Sequence, residues 1–567
     1  MHIVLTRRDD GVVIASEVDA AGEAQAETEL AGSGLAAFVA QRERGDAGAE
    51  PGASRDSPRW VWSSTAQWYP ALLAAGVRVE RCVDLALCRR ILRTSALTAG
   101  SELAREPASS WDLAAPVAAA PGPQSPALFD VEAPVMGAPL DPLREFRAQQ
   151  AAVAGAAQPA RIRLLLAAES AGALVAEEIR FTGMPWREAV HDRVLTEALG
   201  PRVAAGRHPQ RLESLAARVR ELLGAPTLNP DSQTELLAAL RRVGLDVTST
   251  RKWELRELDH PVIEPLLEYK SLYRLFTANG WAWLDTWVHE GRFRPDYVVG
   301  GVVTGRWATS GGGALQLPKN IRRAVVADEG WKLVVADAAQ LEPRVLTGLA
   351  SDRAMADAGR GRDLYDSVVA AGVVASRHEA KVAMLGAMYG ATTGDSARLK
   401  PRLVKAFPQA VALVDRAAAD GERGEQVVSR LGRTSPKPGE SWREVQQRAS
   451  EPGASAADER RARSRARDWG RFTRNFVVQA SAAEWALCWM ADIRLRLRAL
   501  GDDLASAPHL VFFLHDEIMV HTPVQYAEEV AEIVRESARA AGRLLFGTFP
   551  VDFPLSVAVV DTYADAK

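Results

Sequence analysis

With 567 residues, the chain exceeds what one hydrophobic core usually organises, so two or more domains are expected. Apolar residues make up 47% and charged residues 25%, an ordinary globular balance, and no apolar run is long enough to cross a bilayer, which excludes membrane insertion and predicts a cytoplasmic protein. A net charge of −3 excludes nucleic-acid binding by bulk positive charge, so any such contact has to be local.

The first residues, Met1 to Ile14, have their apolar character broken by Arg7, Arg8, Asp9 and Asp10 and lack the continuous apolar stretch of a secretory signal. Short β-like runs at 3–6, 11–14 and 59–62 alternate with Ala/Leu-rich helical stretches, which predicts a small α/β domain over 1–106. The cysteines, Cys82, Cys88 and Cys488, match neither a zinc site nor a disulfide framework and are read as reduced structural thiols. Residues 107–142 are crowded with Ala and Pro, which predicts a linker, placed at 107–160. From 161 onward amphipathic helices dominate, with apolar residues at helical spacing over 161–178 and 212–223. A Gly-rich loop at 311–313 precedes a strand-like run at 332–336, and a second strand pair, 510–514 and 518–521, brackets His515. Between Arg460 and Arg474 stand Arg461, Arg463, Arg465, Arg467 and Arg471 among few acids, a run that reads either as a solvated helix face or as a phosphate contact.

Three constellations carry chemistry. The 332–336 strand runs directly into Asp337, beside a helix start expected at 340–343. The apolar hairpin 510–521 carries His515, Asp516 and Glu517 at its tip, where turn formers such as Asn-Gly are usual. A lone Asp at a strand end is most simply a cap or turn former. Two such carboxylate edges brought together repel unless a divalent cation lies between them, and that arrangement serves two-metal phosphoryl transfer. Over 376–390, Arg377, Lys381, Leu385 and Tyr389 recur every four residues, giving one helix face a cationic half and an aromatic end. Such a face suits a nucleoside triphosphate with a ring against a base pair; the plainer reading is a surface basic pair followed by core residues. Over 468–490, Arg471, Asn475 and Gln479 form a second stripe, suited to minor-groove acceptors or to solvent.

In chain order these segments resemble the DNA polymerase I family. Asp337-Ala-Ala-Gln-Leu-Glu-Pro-Arg344 is similar to its motif A, D-Y-S-Q-I-E-L-R; Arg377-x3-Lys381-x3-Leu385-x3-Tyr389-Gly390 to motif B, R-x3-K-x3-F-x3-Y-G; and His515-Asp516-Glu517 to motif C, H-D-E. Thr304-Gly305-Arg306 with Leu315, Gln316 and Pro318 resembles the T-G-R and L-Q-N-I-P segment with one extra residue between them. Leu228-Asn-Pro-Asp-Ser232 and Leu267-Glu-Tyr-Lys-Ser-Leu272 look like the thumb signatures, so the resemblance spans about 161–567.

The resemblance implies an α/β exonuclease-like N-terminal domain followed by a mainly helical right-hand polymerase. Its thumb falls at about 161–290, its palm, with an antiparallel sheet, at about 291–355 and 470–567, and its fingers at about 356–469. It implies that Asp337 and Asp516 hold two Mg²⁺ ions (Mn²⁺ being an alternative), that Glu517 assists them, and that Arg377 and Lys381 bind the triphosphate, with Lys381 as general acid. Gln340, Glu342, Leu385 and Tyr389 complete the nucleotide site. Single-subunit RNA polymerases share the three-motif plan with a small residue where Glu342 crowds the sugar 2′ position, so this Glu implies deoxynucleotides. Arg306, Gln316, Arg471, Asn475, Gln479 and His515 are the implied contacts to primer–template DNA. The expected protein is a monomeric, cytoplasmic, nucleoid-associated bacterial enzyme serving repair or gap filling.

The chain departs from the family pattern in places. Leu385 stands at the motif B aromatic position, and Pro343 follows Glu342 in a first helical turn. In the N-terminal domain, where 82–92 is read as a helix, Asp9-Asp10 and Glu17-x-Asp19 do not match the Asp-x-Glu that proofreading requires, so that domain is expected to be degenerate. No counterpart of the family's 5′ nuclease domain is expected. Two other readings stay open: a catalytically silent primer–template binding protein, and a 3′–5′ nuclease acting through the N-terminal domain.

Overall fold

The computed structural model describes residues 1–44, 57–112, 140–204, 206–314, 317–390 and 394–566. The chain opens with β1 (His2–Arg7), β2 (Val13–Val18), β3 (Ala24–Leu30), β4 (Arg59–Trp62) and β5 (Arg81–Asp84), which form one sheet of order β3-β2-β1-β4-β5. The first three strands are an antiparallel meander, and β4 and β5 run parallel to β1. Trp60, Val61 and Trp62 are all fully buried, the continuous apolar run of a strand covered on both faces.

Helix α1 (Thr65–Ala74) follows β4, and α2 (Leu85–Thr94) follows β5. The helix expected over 82–92 therefore begins only at Leu85; the residues before it are strand. The switch is made by Asp84, whose carboxylate accepts from Leu87 N at 3.0 Å and from Thr65 N at 2.7 Å, so one buried side chain caps the starts of both helices.

The linker expectation is corrected at its carboxyl end. Residues 113–139 lie outside the described residues, but α3 (Pro142–Ala154) and α4 (Pro159–Thr182) are regular helices, each with Pro in the first turn, where its missing N–H costs nothing. Phe146 of α3 is fully buried against the N-terminal sheet, and Glu145 meets the buried Arg89 at 2.7 Å. Composition alone missed these anchors. Helix α4 packs one side on the N-terminal unit, where Leu174 joins its core and Ser170 Oγ accepts from Asp84 N at 3.2 Å. Its other side, with Leu165, Val175 and Ile179, joins the core of the C-terminal half.

Six further helices between Glu188 and Trp287 follow, and Val219, Leu236, Leu240, Leu255 and Leu266 give part of that region a core of its own. Then come β6 (Trp331–Ala338), α5 (Leu341–Ala350), α6 (Arg377–Tyr389), α7 (Pro408–Glu422), α8 (Glu440–Ser450), the 43-residue α9 (Ala456–Arg498), β7 (His509–Leu514), β8 (Glu517–Pro523), α10 (Ala527–Phe546) and β9 (Leu555–Val560). The four strands form an antiparallel sheet of order β7-β8-β6-β9. Alternation divides its faces: Leu333, Val335 and Met519 enter one core, while Val334, Ala336, Ile518 and Val520 enter the other, with residues of α9 and α10. No described helix is long and apolar enough to cross a membrane.

Candidate active site

The carboxyl end of β6 and the tip of the β7–β8 hairpin are one place. Asp337 lies directly opposite Glu517 in the β6–β8 register, and Ala338 N donates to Asp516 O at 2.8 Å. The acids read from distant segments are thus held on adjoining backbone positions of hydrogen-bonded strands. Leu514 pairs with Glu517, so His515 and Asp516 are the two-residue turn between them. His515 (φ 58°) and Gln340 (φ 57°) both adopt the left-handed conformation, sparsely populated by such side chains and found at functional sites. At Gln340 it turns the chain out of β6 and into α5, and the Gln340 side-chain carbonyl accepts from Leu364 N at 2.9 Å. The helix start expected at 340–343 is there, with Pro343 in its first turn.

The acids face different neighbours. Glu517 is buried and accepts from the Tyr563 hydroxyl at 2.9 Å; Arg322 lies 4.4 Å over the Tyr563 ring. Burial, and then Glu517, pushes that hydroxyl well above its ordinary range. Asp516 instead lines a pocket of about 230 Å³ whose walls include Arg306, Gln340, Glu342, Leu385, Tyr389 and His515. Ala482, Ala483 and Leu487 of α9 form its back.

Oxygen donors on adjoining strand positions fit a hard divalent cation. Among the described residues no group of three His, Cys, Asp or Glu side chains makes a ready cage. An ion of the Mg²⁺ kind needs none, being held by one or two carboxylates together with substrate phosphates and water.

Glu342 organises the pocket. It forms an ion pair with Arg306, and its other oxygen accepts from the Tyr389 hydroxyl at 2.5 Å. The Tyr389 hydroxyl is pushed up, first by burial and then by Glu342. Burial and then the Arg306 charge lower the His515 pKa, so the neutral imidazole is favoured. Arg306, read as a DNA contact, and Glu342 and Tyr389, read as nucleotide contacts, are therefore one network. Gly305 before them has φ +82°, the left-handed region that favours glycine, and an added Cβ would also displace the Arg433 guanidinium.

Helix α6 begins at the Ser376 cap, whose hydroxyl accepts from Glu379 N at 3.2 Å, and ends at Gly390 with φ 71°. Leu385 and Tyr389 reach the pocket, while Arg377 and Lys381 lie exposed toward the amino end, outside its wall. Arg377 pairs with Asp363 at 2.8 Å and stands 5.5 Å over the Tyr365 ring. On α9, Arg471 pairs with Asp468 and sits so close to Gly390 that an added Cβ there would lie 3.1 Å from its Cγ. Asn475 and Gln479 are half-buried along the same stripe, and Asn475 Oδ1 is buried without a hydrogen-bond partner among the described residues. Gln316 lies outside the described residues. Sequence reasoning missed Tyr365, Asp363 and Tyr563. Asp363 carried a signal, an Asp immediately before a helix, and it caps Tyr365 N at 2.9 Å.

Residues 204–564 match the family model for DNA polymerase family A. Similar proteins include a thermostable DNA polymerase I of Thermus filiformis, 27% identical over 383 residues covering 62% of this chain and 41% of that one. A DNA polymerase I of Chloroflexus aurantiacus is 26% identical over 375 residues, covering 58% and 37%. The chain spans about two fifths of the length of these curated relatives. Among solved structures, the polymerase domain of Pol1 from M. smegmatis, in complex with a DNA primer-template and dNTP, has a similar fold, with a TM-score of 0.64 at 16% identity over 100% of this chain and 96% of that one. With the family model matched over more than half of its length, this chain belongs to DNA polymerase family A.

Proposed function

We propose that the protein is a template-directed DNA polymerase that adds deoxynucleotides to a primer 3′ end by two-metal phosphoryl transfer. The observation that carries this reading is the strand register that sets Asp337 opposite Glu517 and ties Ala338 to Asp516, beside the Glu342–Tyr389 pocket. Asp337 and Asp516 would hold two divalent cations, Mg²⁺ or Mn²⁺, which would supply activation of the primer hydroxyl and neutralisation of the triphosphate. Glu517, fixed by Tyr563, adds negative charge from behind them.

The remaining roles follow from placement. Lys381 is exposed one turn before Leu385, about 6 Å along the helix, where its ammonium donates a proton to the leaving pyrophosphate. Arg377 binds phosphate by leaving Asp363; exposed pairs of this kind contribute only about 0–1 kcal/mol, so the exchange is easy. Arg306 and Tyr389 hold the Glu342 carboxylate against the sugar 2′ position, which disfavours ribonucleotides, and Leu385 packs the sugar more loosely than an aromatic ring does. Gln340 supports the pocket floor through Leu364. Arg471, Asn475, Gln479, His515 and Gln316 line the primer–template path; the open Asn475 Oδ1 and neutral His515 suit base edges.

In this reading the fingers are 356–469, the palm is 291–355 with 470–567, and the thumb is the helical region from Glu188 to about 290, since α4 belongs to the body. The N-terminal sheet suits an exonuclease-like fold whose acids now serve structure: Glu17 pairs with Arg42, Asp19 caps a turn at Ala21 N and Glu23 N, and Asp84 caps two helices. Gap filling by a monomer is the proposed use.

Primer extension with the four deoxynucleotides and Mg²⁺ tests this. Asp516→Asn is expected to slow extension by about a hundredfold or more, the size of losing a main electrostatic contributor to a transition state. Extension equal to that of the parent, or net shortening of the primer by both, would overturn the reading.

A further inference from the structure

The polymerase reading leaves the arginine run at the start of α9 without a role. Between Ala456 and Trp469 only Ala462 is buried, and α8, which packs alongside, buries no residue at all. The two helices are joined by polar contacts: Gln446 Nε2 donates to Ala462 O at 2.9 Å and Trp442 Nε1 to Arg465 O at 3.3 Å. This hairpin therefore adds little to any core.

The acids at the start of α9 are already engaged. Asp458 closes a capping box with Ser455, Glu459 pairs with Arg463 at 3.2 Å, and Asp468 pairs with Arg471. Arg460, Arg461, Arg465 and Arg467 are exposed, and their side chains form no ion pair or hydrogen bond with another described residue. Four unmatched guanidiniums within eight residues repel one another, and the first two lie near the helix amino end, where the backbone dipole also disfavours cations. A polar face that served only solvation would not need one sign of charge.

We propose that these four arginines form a track for the phosphates of the single-stranded template ahead of the pocket. The proposal rests on the polymerase reading for its direction. Helix α9 is unbroken from this run to Ala482 and Ala483 in the pocket wall, so Arg460 lies about 33 Å along its axis from Ala482. The Arg471–Asn475–Gln479 stripe lies between, with Arg471 beside Gly390 at the end of α6, and the run continues along the same helix away from the pocket wall. A strand passing that way has left the product duplex, and at about 3.4 Å per phosphate the path from the pocket wall to Arg460 accommodates about ten nucleotides, of which the arginines meet the outermost few. Guanidiniums on an otherwise acidic chain suit this partner because they bind phosphates without reading sequence.

The test is equilibrium binding of primer–template to the full chain between about 50 and 200 mM KCl, with a template overhang of about ten nucleotides and with the same duplex blunt. The variant is Arg460→Gln/Arg461→Gln/Arg465→Gln/Arg467→Gln, checked for parental melting, with Arg461→Gln/Arg465→Gln as a milder second. On the overhang substrate the fourfold variant is expected to lower the slope of log K against log salt by about 3, from about 0.7 per lost single-strand contact, and the double variant by about half of that. On the blunt duplex both bind as the parent does. Equal slopes for parent and variants on the overhang substrate overturn the proposal, and so does a loss shared by the blunt duplex, which assigns the arginines to product DNA. Asp516→Asn separates this from failure of the polymerase reading: a parent that extends no better than Asp516→Asn, yet keeps overhang-dependent binding through these arginines, refutes the activity and leaves the track in place.

Discussion

Glu178 is the point at which the two halves of the chain are most sensitive to one substitution. Its carboxylate, fully buried on α4, accepts from Tyr69 Oη at 2.6 Å and Arg78 Nη2 at 3.0 Å on the N-terminal side, and from Arg494 Nη2 at 2.8 Å on α9. Arg494 Nη1 also donates to Glu80 O at 2.8 Å, so the guanidinium fastens α9 to the N-terminal unit directly. Burial alone would raise the Glu178 pKa, but Arg494 and then Arg78 outweigh it and hold the group well below the usual carboxylate range. Glu178→Gln keeps the shape and leaves two guanidiniums, with side chains 4% and 2% exposed, without a buried counter-charge. Breaking such a pair costs about 3–5 kcal/mol. Because the folded pKa is depressed, the stabilisation is fully present above the ordinary glutamate value of about 4.3 and is lost as pH falls toward the folded value. Urea unfolding followed by far-UV circular dichroism, at neutral pH and again at the lowest pH where the parent stays folded, should show a large deficit that narrows with acidification. A deficit below about 1 kcal/mol at pH 7, or one that does not depend on pH, would refute the reasoning. Glu178→Met with Arg494→Met removes a charge from each side and should cost less than the sum of the single changes.

Glu342→Ser removes the partner of Arg306 and Tyr389 and opens the sugar 2′ side of the pocket; the ratio of kcat/KM for ribonucleotides to deoxynucleotides should rise at least about tenfold in single-nucleotide insertion. Glu484, fully buried on α9, accepts from Ser429 Oγ and from Leu431 N at 2.8 Å, and burial pushes its pKa up to about 7. A raised folded pKa means stability is fully present below the ordinary value of about 4.3 and is lost as pH rises through 7, so Glu484→Gln should gain melting temperature relative to the parent at pH 8 but not at pH 5. Asp84→Asn weakens the capping of α1 and α2 and should lower stability by about 1–2 kcal/mol without removing any metal-dependent nuclease activity.

Local pattern carried the site well. The apolar run ending in Asp337 and the hairpin around His515 are strands whose alternate residues enter two different cores, and a strand buried on both faces is legible as a short continuous apolar run. The four-residue spacing of Arg377 to Tyr389 likewise survives as one helix, bounded by a Ser cap and a left-handed Gly. What stayed hidden was set by distant contacts. Strand β3 is mostly exposed; its alternation sets mainly small residues against Gln and Glu, too weak an apolar face to mark it, and it is fixed by pairing with β2. Asp84 separates strand from helix because it is buried beside Thr65, which a reading of 82–92 alone cannot register. Helix α4 reads as one more amphipathic helix, and only the meeting of Glu178 with Arg494, 316 residues away, shows that it lies between two cores.

Helix α9 explains how the N-terminal unit bears on the site whatever chemistry that unit carries. At about 1.5 Å per residue its 43 residues extend about 65 Å, and helices of that length curve unless held. Two buried arginines hold it. Arg474 donates to Ala387 O at the end of α6 and pairs with Asp415 of α7, and Arg494, about 30 Å further along, is gripped by Glu178 with the carbonyls of Val79 and Glu80. The pocket wall at Ala482, Ala483 and Leu487 lies between these two points. The far anchor consists largely of N-terminal residues, so that unit fixes one end of the beam whose middle forms the back of the pocket beside Asp516. This role needs no metal ligand from that unit; it rests on Tyr69, Arg78 and the 79–80 backbone, which add a polar clamp at Arg494 to the apolar packing of Trp485, Trp489 and Ile493.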